Sequence, residues 1–181
     1  RPQRVVLVGS GYIGLEFAGI FAGLGSQVDL VYRQDLPLRG FDEDMRAAMA
    51  EAITVRGITQ HPHTSPKHIT KEGEVYTVTL DNGQTLEADC VFFATGRKPK
   101  IEKLGLDHTS IAIGKHGQIT VDAGSQTTEP GVYAIGDVTD RINLTPVAIA
   151  EGLNLADRLL GKDPPREWAS ATPPKAVFFP P

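Results

Sequence analysis

A single cysteine, Cys90, in 181 residues excludes an internal disulfide framework. That scarcity suits a reducing compartment, and a cytoplasmic protein is expected. An excess of positive charge is also lacking. Eighteen lysines and arginines face 22 aspartates and glutamates, a formal net charge of -4, so no global attraction draws the chain to nucleic acid or to an anionic membrane, and any anion site must be local. No apolar run approaches the roughly 20 residues of a membrane-spanning helix. No charged-then-apolar leader opens the chain, and a soluble protein is expected. The five histidines show no metal-ligand spacing; His61 and His63 flank Pro62 in an expected loop, and all five are read as surface residues without a metal site.

What is present is an ordinary globular composition, 40% hydrophobic and 22% charged, which rules out disordered and fibrous readings. Val5-Val6-Leu7-Val8 is a continuous apolar run, as expected of a strand buried on both faces of a parallel sheet. It begins within four residues of Arg1, as though the chain were cut from something longer. Ile13, Phe17, Ile20, Phe21 and Leu24 then recur at helical spacing up to Gly25, and a second strand follows from Gln27 to Tyr32. A second helix is expected from Asp42, its N-cap, to about Thr54. Ile58 to Thr70 reads as loop and short strand. Tyr76, Val78 and Leu80 lead through Asn82-Gly83, a two-residue hairpin turn, into Thr85-Leu86, and Cys90 to Thr95 returns as a buried strand.

The fold class is therefore α/β: a Rossmann-like nucleotide-binding domain with an inserted antiparallel β-ribbon. A domain boundary falls near Lys98 to Lys103, with residues 1–98 before it. Beyond it, Ile119 to Val121 and Val132 to Ile135 read as short strands, and Pro146 to about Leu160 as a helix capped by Thr145. Pro164 to Pro181 is proline-rich and loop-like.

Gly9-Ser10-Gly11-Tyr12-Ile13-Gly14 is G-x-G-x-x-G between a strand and a helix. There the first glycine makes the turn, the second admits a pyrophosphate and the third lets helix and strand approach, while the free N–H groups of the helix start face the phosphates. The plainer alternative is a glycine turn that only connects packed elements. An NAD-selective site would carry an acid at the end of the second strand for the ribose 2′-hydroxyl. Tyr32 stands there instead, followed by Arg33 and, six residues later, Arg39. Two guanidiniums match a 2′-phosphate and give a selectivity of about a few hundredfold for NADP(H). The alternative is a pair of solvated loop charges, and Asp35 between them complicates the sum.

Further motifs are more specific. Gly9 to Phe21, Tyr32-Arg33 with Leu36 to Asp42, Phe93-Ala94-Thr95-Gly96-Arg97-Lys98-Pro99 and Tyr133 to Ala148 together resemble, in order and over nearly the whole chain, the glutathione reductase group of FAD-dependent pyridine nucleotide-disulfide oxidoreductases. The resemblance implies NADP(H) and FAD as cofactors. It makes residues 99–170 the second segment of a split FAD-binding domain and residues 171–181 the start of a dimerisation domain, with Ala176 onward similar to its opening strand. By it, Tyr12 is the movable ring over the nicotinamide pocket and Glu16 lies near the flavin. Gly96 and Arg97 contact the cofactor, Asp137 binds a flavin ribityl hydroxyl, and Leu144 and Thr145 meet the flavin pyrimidine edge. Read from the residues alone, Asp137 is a turn former and Thr145 an N-cap.

In that group the substrate is glutathione disulfide and the enzyme a homodimer, while reduction needs a C-x-x-x-x-C dithiol and a histidine–glutamate pair, neither of which is here. Cys90, within an apolar strand, reads as an inert core thiol. The expectation is a central portion of a disulfide reductase, inactive alone, with exposed apolar surface from about Ile101 onward. Trypanothione reductases share the pattern, dihydrolipoyl dehydrogenases share it with NAD, and a non-catalytic NADP-binding module is the rival of another class.

Overall fold

The computed structural model describes residues 1–161 and 173–179. The chain divides into two compact units, Arg1–Gly96 with the residues from Ala176 onward, and Arg97–Lys175.

The first unit is built on a four-stranded parallel sheet, in the order β3-β2-β1-β7, made of β1 (Arg4–Val8), β2 (Gln27–Val31), β3 (Thr59–His61) and β7 (Cys90–Phe93). Between them run α1 (Tyr12–Gly23), α2 (Glu43–Val55) and an antiparallel sheet of β4 (Pro66–Glu72), β5 (Val75–Leu80) and β6 (Thr85–Ala88). The apolar run of β1 is explained by two covers. Val5 and Leu7 pack with Leu15, Ala18, Val28, Leu30 and Ile53 beneath the helices. Val6 and Val8 pack with Val78, Leu80, Leu86 and Ala88 of the antiparallel sheet. Side chains alternate across a strand, so a strand covered on both faces must be apolar throughout.

The face that α1 buries carries Gly14, Leu15, Ala18 and Gly19. Small residues let the helix lie close on the sheet, and the larger Phe17 and Ile20 remain exposed. Phe17 stacks on Phe92 with ring centroids 4.7 Å apart. Asp42 caps α2 as expected, its carboxylate accepting the Asp44 N–H at 3.0 Å.

Several local expectations are corrected. β4 is a seven-residue strand where loop and short strand were expected; it is a sheet edge, exposed along nearly its whole length, and an edge needs no apolar alternation. The β5–β6 connection runs over four residues, Asp81 to Gln84, rather than a two-residue turn. Gly83 N–H donates to the Leu80 carbonyl and Leu80 N–H to the Gln84 carbonyl, with Gly83 left-handed at φ 89. His61 is a strand residue rather than an exposed loop residue: its side chain is 9% exposed and its Nε2 lies 2.7 Å from Asp29 Oδ1. The stretch similar to an opening strand has no strand assignment over Ala176 to Phe179, although Val177 and Phe179 pack on the first unit's core.

In the second unit the two expected strands are isolated bridges, Ile113 with Ile119 and Gln126 with Tyr133. Side-chain bonds shape the loops in place of a ladder. Glu129 accepts from the hydroxyl and the N–H of Ser110 at 2.7 and 2.8 Å. Asp122 accepts the N–H groups of Gly124 and Gln126. These bonds hold both carboxyls below their ordinary pKa. Among the described residues the one α-helix of the unit is α3 (Thr145–Leu160). Its N-cap is Leu144, not Thr145, and no side chain caps it: Thr145 takes helical geometry and Pro146 follows within the first turn. On its outer side Ile149 and Leu153 are exposed by 59% and 65%.

Candidate functional site

The carboxyl ends of β1, β2 and β7 open into one cavity of about 470 Å³. In doubly wound sheets ligands bind at this edge, outside the strand ends. Four chain segments, those that follow β1, β2, β3 and β7, form its walls.

The floor is the glycine turn. Gly9 ends β1 at φ 114, and a Cβ there would lie 2.8 Å from the carbonyl carbon of Ala94 and nearer still to its oxygen. A Cβ on Gly14 would overlap the carbonyl oxygen of Gly9. These two glycines serve the fold. Gly11, the N-cap of α1, has an ordinary φ of -73, and nothing lies within 4 Å of the Cβ it lacks. Its bareness serves open space. No side chain caps α1, and the N–H groups of its first turn lie at the end of this glycine turn.

The second wall is the loop after β2. Tyr32 is buried, and its hydroxyl donates to Gln60 Oε1 at 3.0 Å; burial pushes its pKa up. The side chain at the end of β2 is therefore packed inward, a position from which no acid greets a ribose. Arg33 and Arg39 are exposed and both line the cavity, the only charged residues among those described that do. Asp35 instead faces His63 at 3.2 Å, outside the cavity lining. It therefore takes no part in the cavity wall that the two arginines share. The third wall comes from the ends of β3 and β7: Thr64 and Ser65 on one side, Thr95 and Gly96 on the other.

Of the expected site residues, Gly9, Gly11, Arg33, Arg39 and Gly96 line one cavity. Tyr12, Ile13 and Gly14 form the first turn of α1 beside it. Glu16 stands one turn on, half-buried, and its carboxylate accepts the backbone N–H of Phe178 at 3.0 Å. Ser10, Thr64 and Ser65 went unread: Ser10 occupies a variable place of the motif, and the other two sit in a polar linker without periodic signal.

The remaining four belong to the second unit. Arg97 Nε donates to Asp137 Oδ2 at 3.1 Å, so two expected cofactor contacts meet each other. Asp137 sits in a 3-10 turn, Gly136–Thr139, whose leading N–H donates to the buried Glu151 carboxylate at 2.7 Å. Arg141 completes that support, 3.0 Å from the other Glu151 oxygen. Leu144 and Thr145 form the start of α3. Among the described residues no group of three or more histidine, cysteine, aspartate or glutamate side chains is arranged to hold a metal, and no helix is long and apolar enough to cross a membrane.

A parallel sheet, a glycine turn opening a helix and a cationic cavity at the strand ends define a dinucleotide-binding α/β protein. The chain belongs to the pyridine nucleotide-disulphide oxidoreductase family, whose sequence pattern matches residues 1–152. It is 46% identical over 182 residues to the chloroplastic/mitochondrial glutathione reductase of Pisum sativum, covering 100% of this chain and 33% of that protein. It is 41% identical over 168 residues to the trypanothione reductase of Trypanosoma congolense, covering 90% and 34%. Among solved structures, the HOCl-induced flavoprotein disulfide reductase RclA of Escherichia coli superposes with a TM-score of 0.84 at 28% identity, over 90% of this chain and 37% of that one. The chain thus spans about a third of the length of these relatives. NADP(H) and FAD, the expected cofactors, are those of the glutathione reductase type.

Proposed function

We propose that the chain is the NADP(H)-binding domain and second FAD-domain segment of an NADPH-dependent glutathione-disulfide reductase. The observation that carries this reading is the cavity in which the glycine turn and two arginines meet. The residues fit the coenzyme: Gly11 leaves open the space a Cβ would fill, the start of α1 offers N–H donors to a pyrophosphate, and Arg33 and Arg39 offer paired donors to a 2′-phosphate. Asp137, with Leu144 and Thr145, supplies an acceptor and a helix start suited to a flavin. When bound, NADPH would supply a hydride and FAD would carry its two electrons to a disulfide, which with one proton from solvent would give NADP⁺ and two thiols.

The chain's own share in this chemistry is binding and orientation. The glycine turn and α1 fix the pyrophosphate, the arginine loop selects the phosphorylated adenosine, and Tyr12 covers the nicotinamide pocket. Arg97 and Glu151 hold Asp137 and its turn in place. Cys90 is half-buried at the start of β7 and cannot form a dithiol alone, so the disulfide-reducing pair belongs to a partner segment outside these 181 residues. We place the parent enzyme in the cytoplasm as a homodimer. The 46% match to a glutathione reductase favours glutathione disulfide as its substrate. The 41% match keeps trypanothione disulfide as a second reading.

Calorimetric titration of the chain with NADPH and NADH tests the coenzyme assignment. Arg33→Ala with Arg39→Ala is expected to weaken NADPH binding by about ten- to a hundredfold, less than two fully ordered contacts would give because both side chains are solvent-exposed, and to leave NADH binding as it was. Equal NADPH affinity in the wild type and the double variant would overturn the assignment.

A further inference from the structure

The loop that carries Arg33 and Arg39 has no regular structure of its own, yet it is pinned at several points between the two arginines. Leu38 is left-handed at φ 55, a conformation that side chains rarely adopt, and its own side chain is 3% exposed. Its N–H donates to the carbonyl of Ser10, inside the glycine turn, at 2.8 Å. Such a residue persists only where its surroundings hold it.

A second holder from outside the loop is Arg46, near the start of α2. Its Nε donates to the carbonyl of Pro37 at 2.8 Å and its Nη2 to the carbonyl of Leu36 at 2.9 Å. Nη1 pairs with Glu43, one turn back. The side chain is only 13% exposed, although it is a charged residue on a surface helix. Two carbonyls in succession thus receive two donors of one planar group, a geometry that the guanidinium fork supplies and an ammonium does not. The carbonyls lie immediately before Leu38, and Arg39 follows immediately after it.

We propose that Arg46 is a positioning residue for coenzyme selectivity: by clamping Leu36 and Pro37 it presets the loop so that Arg33 and Arg39 stand ready on the cavity wall. This rests on the reading of the cavity as the NADP(H) site. Arg46 lies outside the cavity lining and acts through the backbone. Its contribution is preorganisation, since a loop already in its bound shape gives up less freedom when the phosphate arrives. NADH, which lacks the 2′-phosphate, gains nothing from it.

The ratio of NADPH to NADH affinity separates this role from a merely structural one. Arg46→Met, which keeps the stem and removes the donors, is expected to lower the ratio about three- to tenfold, the size of the ordering cost of one or two side chains. NADH affinity stays unchanged. Arg46→Lys, which reaches one carbonyl at most, should lower the ratio by less and serves in its place if the methionine variant does not fold. In the Arg33→Ala, Arg39→Ala background Arg46→Met should have no further effect on the ratio. An unchanged ratio in the otherwise wild-type chain, or an equal loss for both nucleotides, overturns the proposal while the coenzyme assignment stands. A double arginine variant that binds NADPH like the wild type overturns the assignment itself, and the proposal with it.

Discussion

Replacing Gly9 and Gly11 by alanine, one at a time, asks whether two glycines of one motif have different duties. At Gly9 the added methyl meets the Ala94 carbonyl at the point where three strands converge: Gly9 N–H donates to the Val31 carbonyl at 2.9 Å and Ala94 N–H to the Val8 carbonyl at 2.8 Å. Relief requires β1 and β7 to part. Strained backbone costs about 1–3 kcal/mol, and forced overlap in a packed site costs about 1–3 kcal/mol more. A loss near the middle of that sum, about 3–4 kcal/mol, lowers the melting temperature of a unit of this size by roughly 12–30 °C. At Gly11 φ is ordinary and the methyl meets nothing, so stability should stay within about 0.5 kcal/mol of wild type. The same methyl enters the space that a pyrophosphate must approach, and NADPH affinity should fall about tenfold or more. Thermal denaturation followed by circular dichroism, with calorimetry on the folded variants, reads both effects. Gly9→Ala melting within a few degrees of wild type, or Gly11→Ala binding NADPH undiminished, would refute the division of labour.

Two further outcomes follow from single contacts. Asp42→Ala removes the acceptor of the Asp44 N–H and should cost about 1 kcal/mol, read as a shift in urea midpoint without a change in slope; an unshifted midpoint would show that this cap is not contributing. Asp89 accepts the backbone N–H groups of Arg4 and Gln3, each at 2.9 Å, together with the Arg4 guanidinium at 3.0 Å, and these hold its carboxyl below its ordinary pKa. A depressed folded pKa gives stability that is present above the unfolded value and lost as pH falls through the folded one. Acid weakening of the wild type should therefore begin below about pH 4 and be shallower in Asp89→Asn, measured by urea unfolding at descending pH. Parallel pH profiles would contradict it.

Much of the first unit was legible because its signals are local. β1 announces two covered faces by four successive apolar residues, and the glycine spacing between a strand and a helix admits few other uses. Asp42 caps α2 through a contact two residues away. What escaped depends on distant partners. His61 looks like a loop residue beside Pro62 until pairing with β2 places it against Asp29, 32 positions away. β4 satisfies itself through backbone bonds to β5 and carries no alternation to read. In the second unit two strand-like runs make only single bridges, and backbone turns together with carboxylate bonds from Glu129, Asp122 and Glu151 hold the loops. Thr145 missed the cap position by one residue. The hydroxyl is the right chemistry, but the chain enters helical geometry at Thr145 itself, and Leu144 is left to cap without a side-chain acceptor.

For the candidate site, the two guanidiniums are legible in the sequence, but where Asp35 turns and what holds the loop are not. The contact of Asp35 with His63 lies across 28 positions of chain, and Arg46 reaches back nine and ten positions to carbonyls that no motif marks.

The most direct measurement is a crystal structure of the chain soaked with NADPH. The account predicts the pyrophosphate at the N–H groups opening α1 and the adenosine 2′-phosphate within hydrogen-bond distance of Arg33 and Arg39, on a loop whose backbone keeps its present path. A nucleotide bound away from this cavity, or bound here with its 2′-phosphate in solvent, would contradict it.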